Sequence, residues 1–145
     1  MDNHKRNSTN DVLSHILETK NTVLHGGFKN NVYTDVYDFI LDEWAATNPQ
    51  NKTINPESKL QKCPIRPFGK WYEKNFDTNI TINVLVWYGI FAVAREHIIQ
   101  HPIERYENLI KYVDSHSNPE AGHYMERSWG AIFYPYPSSC IYYSS

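Results

Sequence analysis

The feature that most constrains the fold is an apolar stretch over residues 80–94 in the second half of the chain. Thr81, Asn83 and Gly89 interrupt it, and it is shorter than the roughly 20 apolar residues that a membrane-spanning helix needs. Residues 80–93 are rich in β-branched and aromatic side chains, a composition typical of strands buried on both faces. The stretch therefore predicts one or two buried strands, with Gly89 at a bulge or a close backbone contact.

Helical patterns lie on both sides of this stretch. Apolar residues recur at helical spacing before it, which predicts helices over Asp11–Thr19 and Val32–Ala46 and a short aromatic helix or lid-like segment over Phe68–Phe76. After it, we predict one or two helical turns over Ala94–Gln100, a helix opened by Pro102, and a last helix that starts at Asn118-Pro119-Glu120 and runs through Met125 and Trp129 toward Phe133.

The order of these elements predicts an α/β fold, a small sheet flanked by helices. Asn21–His25 is a further short strand that ends at the turn Gly26-Gly27, and Thr47–Pro67 is a long loop with four prolines. We expect a disordered polar N-terminus over residues 1–10, a single α/β domain over residues 11–137 and an extended C-terminal tail over residues 138–145.

Charge and composition exclude several classes of partner. The net charge is −2 and the 14 Lys and Arg residues are scattered, so no basic stripe is present that would bind nucleic acid. The first residues lack the apolar segment of a secretory signal, and with so short an apolar stretch we expect a soluble, cytoplasmic protein with no membrane partner. Cys63 and Cys140 form no C-x-x-C motif and are expected to be free thiols.

The last predicted helix carries the residues best suited to chemistry. His123, Glu126, Arg127 and Gly130 recur three to four residues apart, so an imidazole, a carboxylate and a guanidinium are presented close together. Glu126 beside a histidine and aromatic rings suits a general base, because partial burial raises the pKa of a carboxylic acid. The same spacing also fits a structural salt bridge between Glu126 and Arg127 or Arg95, and the spacing alone favours the salt bridge.

Other common catalytic signatures are missing from the sequence. It contains no Gly-x-Ser-x-Gly, no Walker loop, no Gly-x-Gly-x-x-Gly and no His-Glu-x-x-His. His97 and His101 are four residues apart, but Pro102 interrupts the helix and brings no third ligand for zinc. The sequence therefore shows no metal motif and leaves the cofactor unknown.

Several segments resemble a known protein family. Residues 87–102 read WYGIFAVAREHIIQHP, residues 106–109 read YENL, and residues 122–133 read GHYMERSWGAIF. With weaker similarity at residues 13–16 and 22–26, they resemble a family of unknown function that shares a G-x-F-A-V-x-R strand, a Y-x-x-L helix and a closing E-R-x-W-x-x-I-F. That family is similar in layout to the GT-A type of glycosyltransferase, which transfers a sugar from a nucleotide donor.

The resemblance implies roles for particular residues. It places Gly89 near the acceptor and Glu126 at the position of the catalytic base. It implies that Arg95 and Arg127 bind phosphate or fix Glu126. It also implies that Trp71, Trp87 and Trp129 stack on sugar rings. The other residues that it implies for substrate binding are His25, Gly26 and His123.

The chain also departs from the GT-A pattern. Residues 25–29 read HGGFK where that family type has an acidic metal-binding motif, and no nucleotide-binding strand is recognisable before residue 11. We therefore expect a GT-A-like fold that is shortened and lacks its first nucleotide-binding strand. Two functions remain open: a glycosyltransferase-like enzyme that binds a sugar nucleotide or glycan, and a non-catalytic binding or structural protein that retains the degenerate fold.

Overall fold

Three short strands form a mixed sheet in the order β2-β1-β3. The central strand β1 (Val23–Gly26) pairs antiparallel with β2 (Phe91–Ala92) and parallel with β3 (Ile141–Tyr143). The computed structural model describes residues 3–26, 34–43, 59–77, 79–80, 82 and 84–143. All four residues of β1 are buried, including the polar His25, so both faces of this strand are covered.

Six α-helices lie in the described residues, and the first of them packs against β1 and β2. They are α1 (Asn3–Thr19), α2 (Phe68–Asn75), α3 (Arg95–Ile99), α4 (Ile103–Ile110), α5 (Glu120–Glu126) and α6 (Trp129–Phe133). Short 3₁₀ turns occur at Thr34–Asp38, Trp87–Gly89 and Ser138–Cys140. The predicted architecture, a small sheet with helices packed around it, is confirmed, as are the helices expected near residues 68–76, 94–100 and after Pro102.

Among the described residues, helix and strand extend beyond the domain limits that we expected at either end, 11 and 137. α1 begins at Asn3 instead of Asp11, because Ser8 is buried one turn before Val12 and extends the packed face of the helix. Residues 141–143, expected to be part of a tail, are extended but pair with β1 as β3. The buried backbone of β1 requires hydrogen-bond partners along both of its edges, and β3 supplies them on one side.

The helix predicted over Val32–Ala46 is wrong in the residues that the structure describes there, 34–43. Thr34–Asp38 forms a 3₁₀ turn, and the residues after it are irregular. Their backbone makes tertiary hydrogen bonds instead, such as the one from Leu41 N to Glu120 Oε1 at 2.9 Å. The remainder of this predicted helix, and most of the loop predicted over Thr47–Pro67, lie outside the described residues.

The apolar stretch over residues 80–93 is buried in part, at Ile82 and residues 84–86, whereas Tyr88 and Gly89 are exposed, and the prediction of strands is wrong for most of its described residues. Ile82 and residues 84–86 are buried in irregular backbone, and β2 alone forms a strand. Tyr88 and Gly89 both have positive φ, 62° and 63°, so the chain turns sharply just before β2. The close contact predicted at Gly89 is therefore a left-handed turn.

The last predicted helix begins at Glu120 as expected, but it is broken between α5 and α6. The carbonyl of Glu126 accepts a hydrogen bond from Val86 N at 3.3 Å, which diverts it from the helix ladder. The buried Ser128 hydroxyl donates to Tyr124 O at 2.8 Å, a side-chain bond that competes with helical pairing. The break turns α6 and re-aims Arg127, which lies at the junction.

A fully buried carboxylate fastens α5 to the rest of the fold. Glu120 has an exposed fraction of 0% and accepts hydrogen bonds from Leu41 N, Cys63 N, Tyr124 Oη and Arg66 Nε at 2.7 to 3.1 Å. Burial by itself raises the pKa of this carboxyl group, but the four donors outweigh burial and hold the pKa below its usual value. Glu120, expected to be simply an early acid of the helix, joins three segments of the chain.

Candidate functional site

Glu126 holds an unusual turn at the end of α5. We call Trp87–Gly89 the Tyr88 turn. Tyr88 N donates a hydrogen bond to Glu126 Oε1 at 3.3 Å, and Tyr88 adopts φ 62° and ψ 9°, a left-handed conformation that costs an L-residue about 1–2 kcal/mol. The side chain of Tyr88 is 55% exposed. A strained backbone that presents an exposed aromatic ring is typical of a functional position rather than of a packing position.

The second carboxylate oxygen of Glu126 faces a histidine. His123 Nδ1 lies 3.8 Å from Glu126 Oε2, and the Glu126 side chain is 27% exposed. Burial lowers the pKa of His123, and the nearby Glu126 charge offsets this in part. The imidazole is therefore neutral at pH 7 and forms no ion pair with Glu126. The carboxylate of Glu126 stays accessible to a ligand.

Arg127 does not form the salt bridge with Glu126 that the spacing favoured. Its guanidinium carbon lies 3.5 Å from the centre of the Phe39 ring and 5.4 Å from that of Trp87, and Nη1 donates to the His123 carbonyl at 2.8 Å. Among the described residues, no carboxylate oxygen lies within 4.0 Å of it. Burial lowers the pKa of Arg127, so its positive charge is held in a poorly solvated place.

A cleft of about 190 Å³, here called the Arg127 cleft, opens beside this guanidinium. Gly130 is one of its lining residues: a Cβ atom there would lie 2.7 Å from Val84 Cγ1 and 3.1 Å from Tyr136 Oη, so glycine lets α6 pack closely against residue 84. The cleft has a polar part and an apolar part. Its lining consists of Asn79, Ile80, Ile82, Val84, Arg127, Gly130, Ala131, Tyr134 and Tyr136.

The structure brings together five of the residues that the sequence singled out. Glu126, His123, Arg127, Trp87 and Gly89 lie in one place, where the end of α5 meets the Tyr88 turn. Tyr88, whose N–H bonds to Glu126, directly precedes Gly89, whereas Glu126 is not among the residues that line the Arg127 cleft.

Other predicted site residues lie elsewhere. His25 is buried on β1, with Nε2 3.9 Å from Asp11 Oδ2 and its ring 5.4 Å from the Tyr142 ring, on the α1 and β3 side. Gly26 contacts the far wall of the cleft, because a Cβ there would lie 2.7 Å from Val84 Cγ2. Arg95 is exposed at the start of α3. The structure does not bring His25 and Arg95 to Glu126.

The three tryptophans proposed for sugar stacking differ in their surroundings. Trp71 is fully buried among the aromatic side chains of the core, so its stacking role is wrong. Trp129 is half-buried and packs against Phe91 and Phe133, with ring centres 4.8 and 6.1 Å away. Trp87 is half-buried in the Tyr88 turn, with its ring centre 5.4 Å from the guanidinium carbon of Arg127.

Tyrosines supply the site residues that sequence reasoning missed. Tyr88, Tyr134 and Tyr136 surround the turn and the cleft. Residues 134–137 read YPYP, a run interpreted simply as the end of a helix. Alternation of tyrosine with proline fixes the backbone and presents the two rings, and that was the signal available in the sequence.

The described part of the chain contains no group of three His, Cys, Asp or Glu side chains close enough to hold a metal ion. Residues 27–29, in the HGGFK segment that replaces an acidic motif, lie outside the described residues. No helix in the described ranges is both long and apolar enough to cross a membrane.

Comparison with known proteins identifies the family. Residues 3–145 match the model of a family described as protein of unknown function, DUF3431, and the chain therefore belongs to that family. No curated protein and no solved structure matches it. The expectation of a family of unknown function is confirmed, and the match extends over nearly the whole chain.

Proposed function

We propose that this member of the DUF3431 family is a glycosyltransferase-like protein that binds an acceptor sugar at the Tyr88 turn, with Glu126 as the general base. One observation carries the proposal: a partly exposed carboxylate, unpaired with any arginine among the described residues, is fixed by Tyr88 N beside an exposed aromatic ring. Aromatic rings and carboxylates are suited to the apolar faces and hydroxyl groups of sugars.

The proposed reaction uses Glu126 to increase the nucleophilicity of an acceptor hydroxyl. The hydroxyl oxygen bonds to the anomeric carbon of a sugar nucleotide, its proton passes to Glu126, and the bond from that carbon to the diphosphate breaks with the electron pair leaving on the diphosphate. Tyr88 N and His123 orient the carboxylate, which limits the freedom it must lose on reaction. The Arg127 cleft, at about 190 Å³, is smaller than the roughly 300–1,000 Å³ of pockets for drug-sized ligands, so we assign it to part of the acceptor.

The variant Glu126→Gln tests this proposal. Gln retains an oxygen that can accept from Tyr88 N, so the turn is expected to persist. We expect acceptor binding to change by less than about threefold, while transfer from a panel of sugar nucleotides falls by about 10²–10⁴-fold, the usual contribution of a general base. Glu104→Gln, an exposed acid on α4, is the matched control and should leave transfer unchanged. Transfer by Glu126→Gln at the wild-type rate would exclude the proposed base.

The alternative is a non-catalytic sugar-binding protein that retains the fold. The observation that favours it is the use of one Glu126 oxygen to hold the Tyr88 turn, a task that needs no chemistry. In this case sugars bind to the wild-type protein but no sugar nucleotide yields product, and no nucleotide raises the unfolding temperature. Product formation from any donor in the panel excludes the alternative.

A further inference from the structure

We propose that the Arg127 cleft binds the anionic group of an acidic sugar, a carboxylate or a phosphate carried on the ring. This inference rests on the proposed function and deepens it, because it names the chemical class of the acceptor. It assigns to Arg127 the recognition of the charge, and to the Tyr88 turn the recognition of the sugar ring.

The first argument is that Arg127 has hydrogen-bond donors left for a ligand. A guanidinium has five N–H donors, and Arg127 makes one hydrogen bond with the described residues, from Nη1 to the His123 carbonyl. Phe39 covers one face of the guanidinium at 3.5 Å, which leaves the edges with the N–H groups available. Because Arg127 also lines the cleft, its remaining donors are in reach of a ligand there.

The two other half-buried arginines show what a structural arginine looks like in this fold. Arg66 binds Asp42 and Glu120, with N–O distances of 3.0 Å to each. Arg105 donates to the carbonyls of Ala131 and Ile132 at the end of α6, at 3.0 and 3.4 Å. Arg66 uses donors from Nε and Nη2, and Arg105 donates from Nη2 to two carbonyls while its buried Nε makes no hydrogen bond among the described residues; Arg127 makes a single hydrogen bond there, from Nη1.

The electrostatic surroundings of Arg127 favour an anion. The charge of Arg127 is half-buried, and the charge of Glu126 stabilises it in part. The carboxylate oxygens of Glu126 lie more than 4.0 Å from the guanidinium, one near Tyr88 N and the other near His123. A half-buried cation without a close counter-ion gains more from an anionic ligand than an exposed one does, because it has already lost much of its hydration. Arginine also suits both candidate groups, since its planar fork matches the oxygens of a carboxylate or a phosphate.

The rest of the cleft fits a sugar ring that bears such a group. Tyr134 is 45% exposed and offers its hydroxyl, whereas Tyr136 already donates to the Gly130 carbonyl at 2.9 Å and serves as a wall. Asn79 also lines the cleft, and because its Nδ2 donates to Asp77 Oδ1 at 2.8 Å, its side-chain oxygen is the group left to accept a hydrogen bond. The apolar side chains of the lining, such as those of Ile80 and Ile82, supply a surface for the ring carbons.

The experiment compares four probes on the wild-type protein by calorimetric titration: glucuronic acid, glucose 6-phosphate, glucose and inorganic phosphate. We expect one acidic sugar to bind at least tenfold more tightly than glucose and than phosphate, and this preference to weaken as salt is raised from 50 to 500 mM. The acid that binds more tightly decides between carboxylate and phosphate. Equal affinity for glucose and both acidic sugars would overturn the inference.

Variants then locate the preference. Arg127→Gln is expected to reduce the preference for the acidic sugar at least tenfold, and Arg127→Lys to retain part of it because the charge is kept. Arg6→Gln, which removes an exposed arginine on α1, is the control and should leave the preference intact. Circular dichroism checks that each variant is folded, and the wild-type comparison decides the matter if Arg127→Gln is not. An unchanged preference in folded Arg127→Gln would refute the assignment.

Failure of this inference is distinguishable from failure of the proposed function. If glucose and the acidic sugars bind equally and Glu126→Gln abolishes transfer, the proposed function stands and the role of Arg127 is overturned. If phosphate alone binds as tightly as the acidic sugars, the ring is not recognised and the acidic-sugar assignment is overturned.

Discussion

Glutamine at position 120 is expected to destabilise the protein strongly, because the buried carboxylate uses both of its oxygens. Oε1 accepts from Leu41 N and Tyr124 Oη, each at 2.9 Å, while Oε2 accepts from Cys63 N at 2.7 Å and lies 3.0 Å from Arg66 Nε. A glutamine amide has one oxygen. Whichever way it is turned, its NH₂ group faces a backbone N–H, and that donor loses its partner inside the fold.

The magnitude follows from these contacts. A buried donor without a partner costs about 1–3 kcal/mol, and removal of one member of a buried charged pair costs about 3–5 kcal/mol in total. We therefore expect the free energy of unfolding to fall by about 3–5 kcal/mol in Glu120→Gln. For a chain of 145 residues this corresponds to a decrease in the unfolding temperature of roughly 10–20 °C.

Thermal and urea unfolding followed by circular dichroism at pH 7 measure this loss. Asp42→Asn is the matched control, because Asp42 also binds Arg66 but its side chain is 60% exposed, and it should change the unfolding temperature far less. An unfolding temperature for Glu120→Gln within about 2 °C of wild type would refute the account of this carboxylate. Equal losses in the two variants would refute it too.

The pH dependence gives an independent check on Glu120. Its pKa is below the ordinary 4.5 in the folded protein, so the carboxylate stabilises the fold fully above pH 4.5. As the pH falls through the lowered folded pKa, wild type loses this contribution while Glu120→Gln has none to lose. The difference in stability between the two proteins should therefore be constant above pH 5 and shrink progressively below 4.5.

Two further pairs of variants test the packing around the site. Gly130→Ala should lower the free energy of unfolding by about 1–3 kcal/mol, because its methyl group would lie 2.7 Å from Val84, whereas Gly122→Ala meets its nearest atom at 3.9 Å and should be neutral or slightly stabilising. Thr22→Val should cost about 1–3 kcal/mol by removing the oxygen that accepts from Ala94 N at 2.9 Å, and Thr22→Ser should cost less. Urea unfolding measures all four, and a reversed order in either pair would contradict the contacts described.

Local sequence signals predicted the elements whose cause is local. Pro102 begins α4 and the Asn118-Pro119 pair begins α5, because proline and capping residues act within a single turn. The irregular backbone of residues 84–86 was beyond such reasoning. Apolar, β-branched residues suit a strand, and what prevents one there is the tertiary bond from Val86 N to the Glu126 carbonyl, a pairing 40 positions apart in the sequence.

The candidate site was predictable in its charged residues and not in its walls. Helical spacing placed His123, Glu126 and Arg127 together, since residues three and four apart meet on a helix. Their pairing was predicted less well, because the break after Glu126 turns Arg127 toward Phe39 instead of the carboxylate. Tyr134 follows α6, so its place in the cleft lining depends on how closely α6 approaches residue 84. The sequence does not specify that distance.

The most direct measurement is the map of amide chemical-shift changes in the ¹⁵N-labelled protein during titration with the acidic sugar selected by calorimetry. We expect the largest changes at residues 87–89, 127 and 130–131, which form the Tyr88 turn and one side of the Arg127 cleft. Changes centred on His25 and Tyr142, the paired residues of β1 and β3, or no change at saturating sugar, would contradict the assignment of this site.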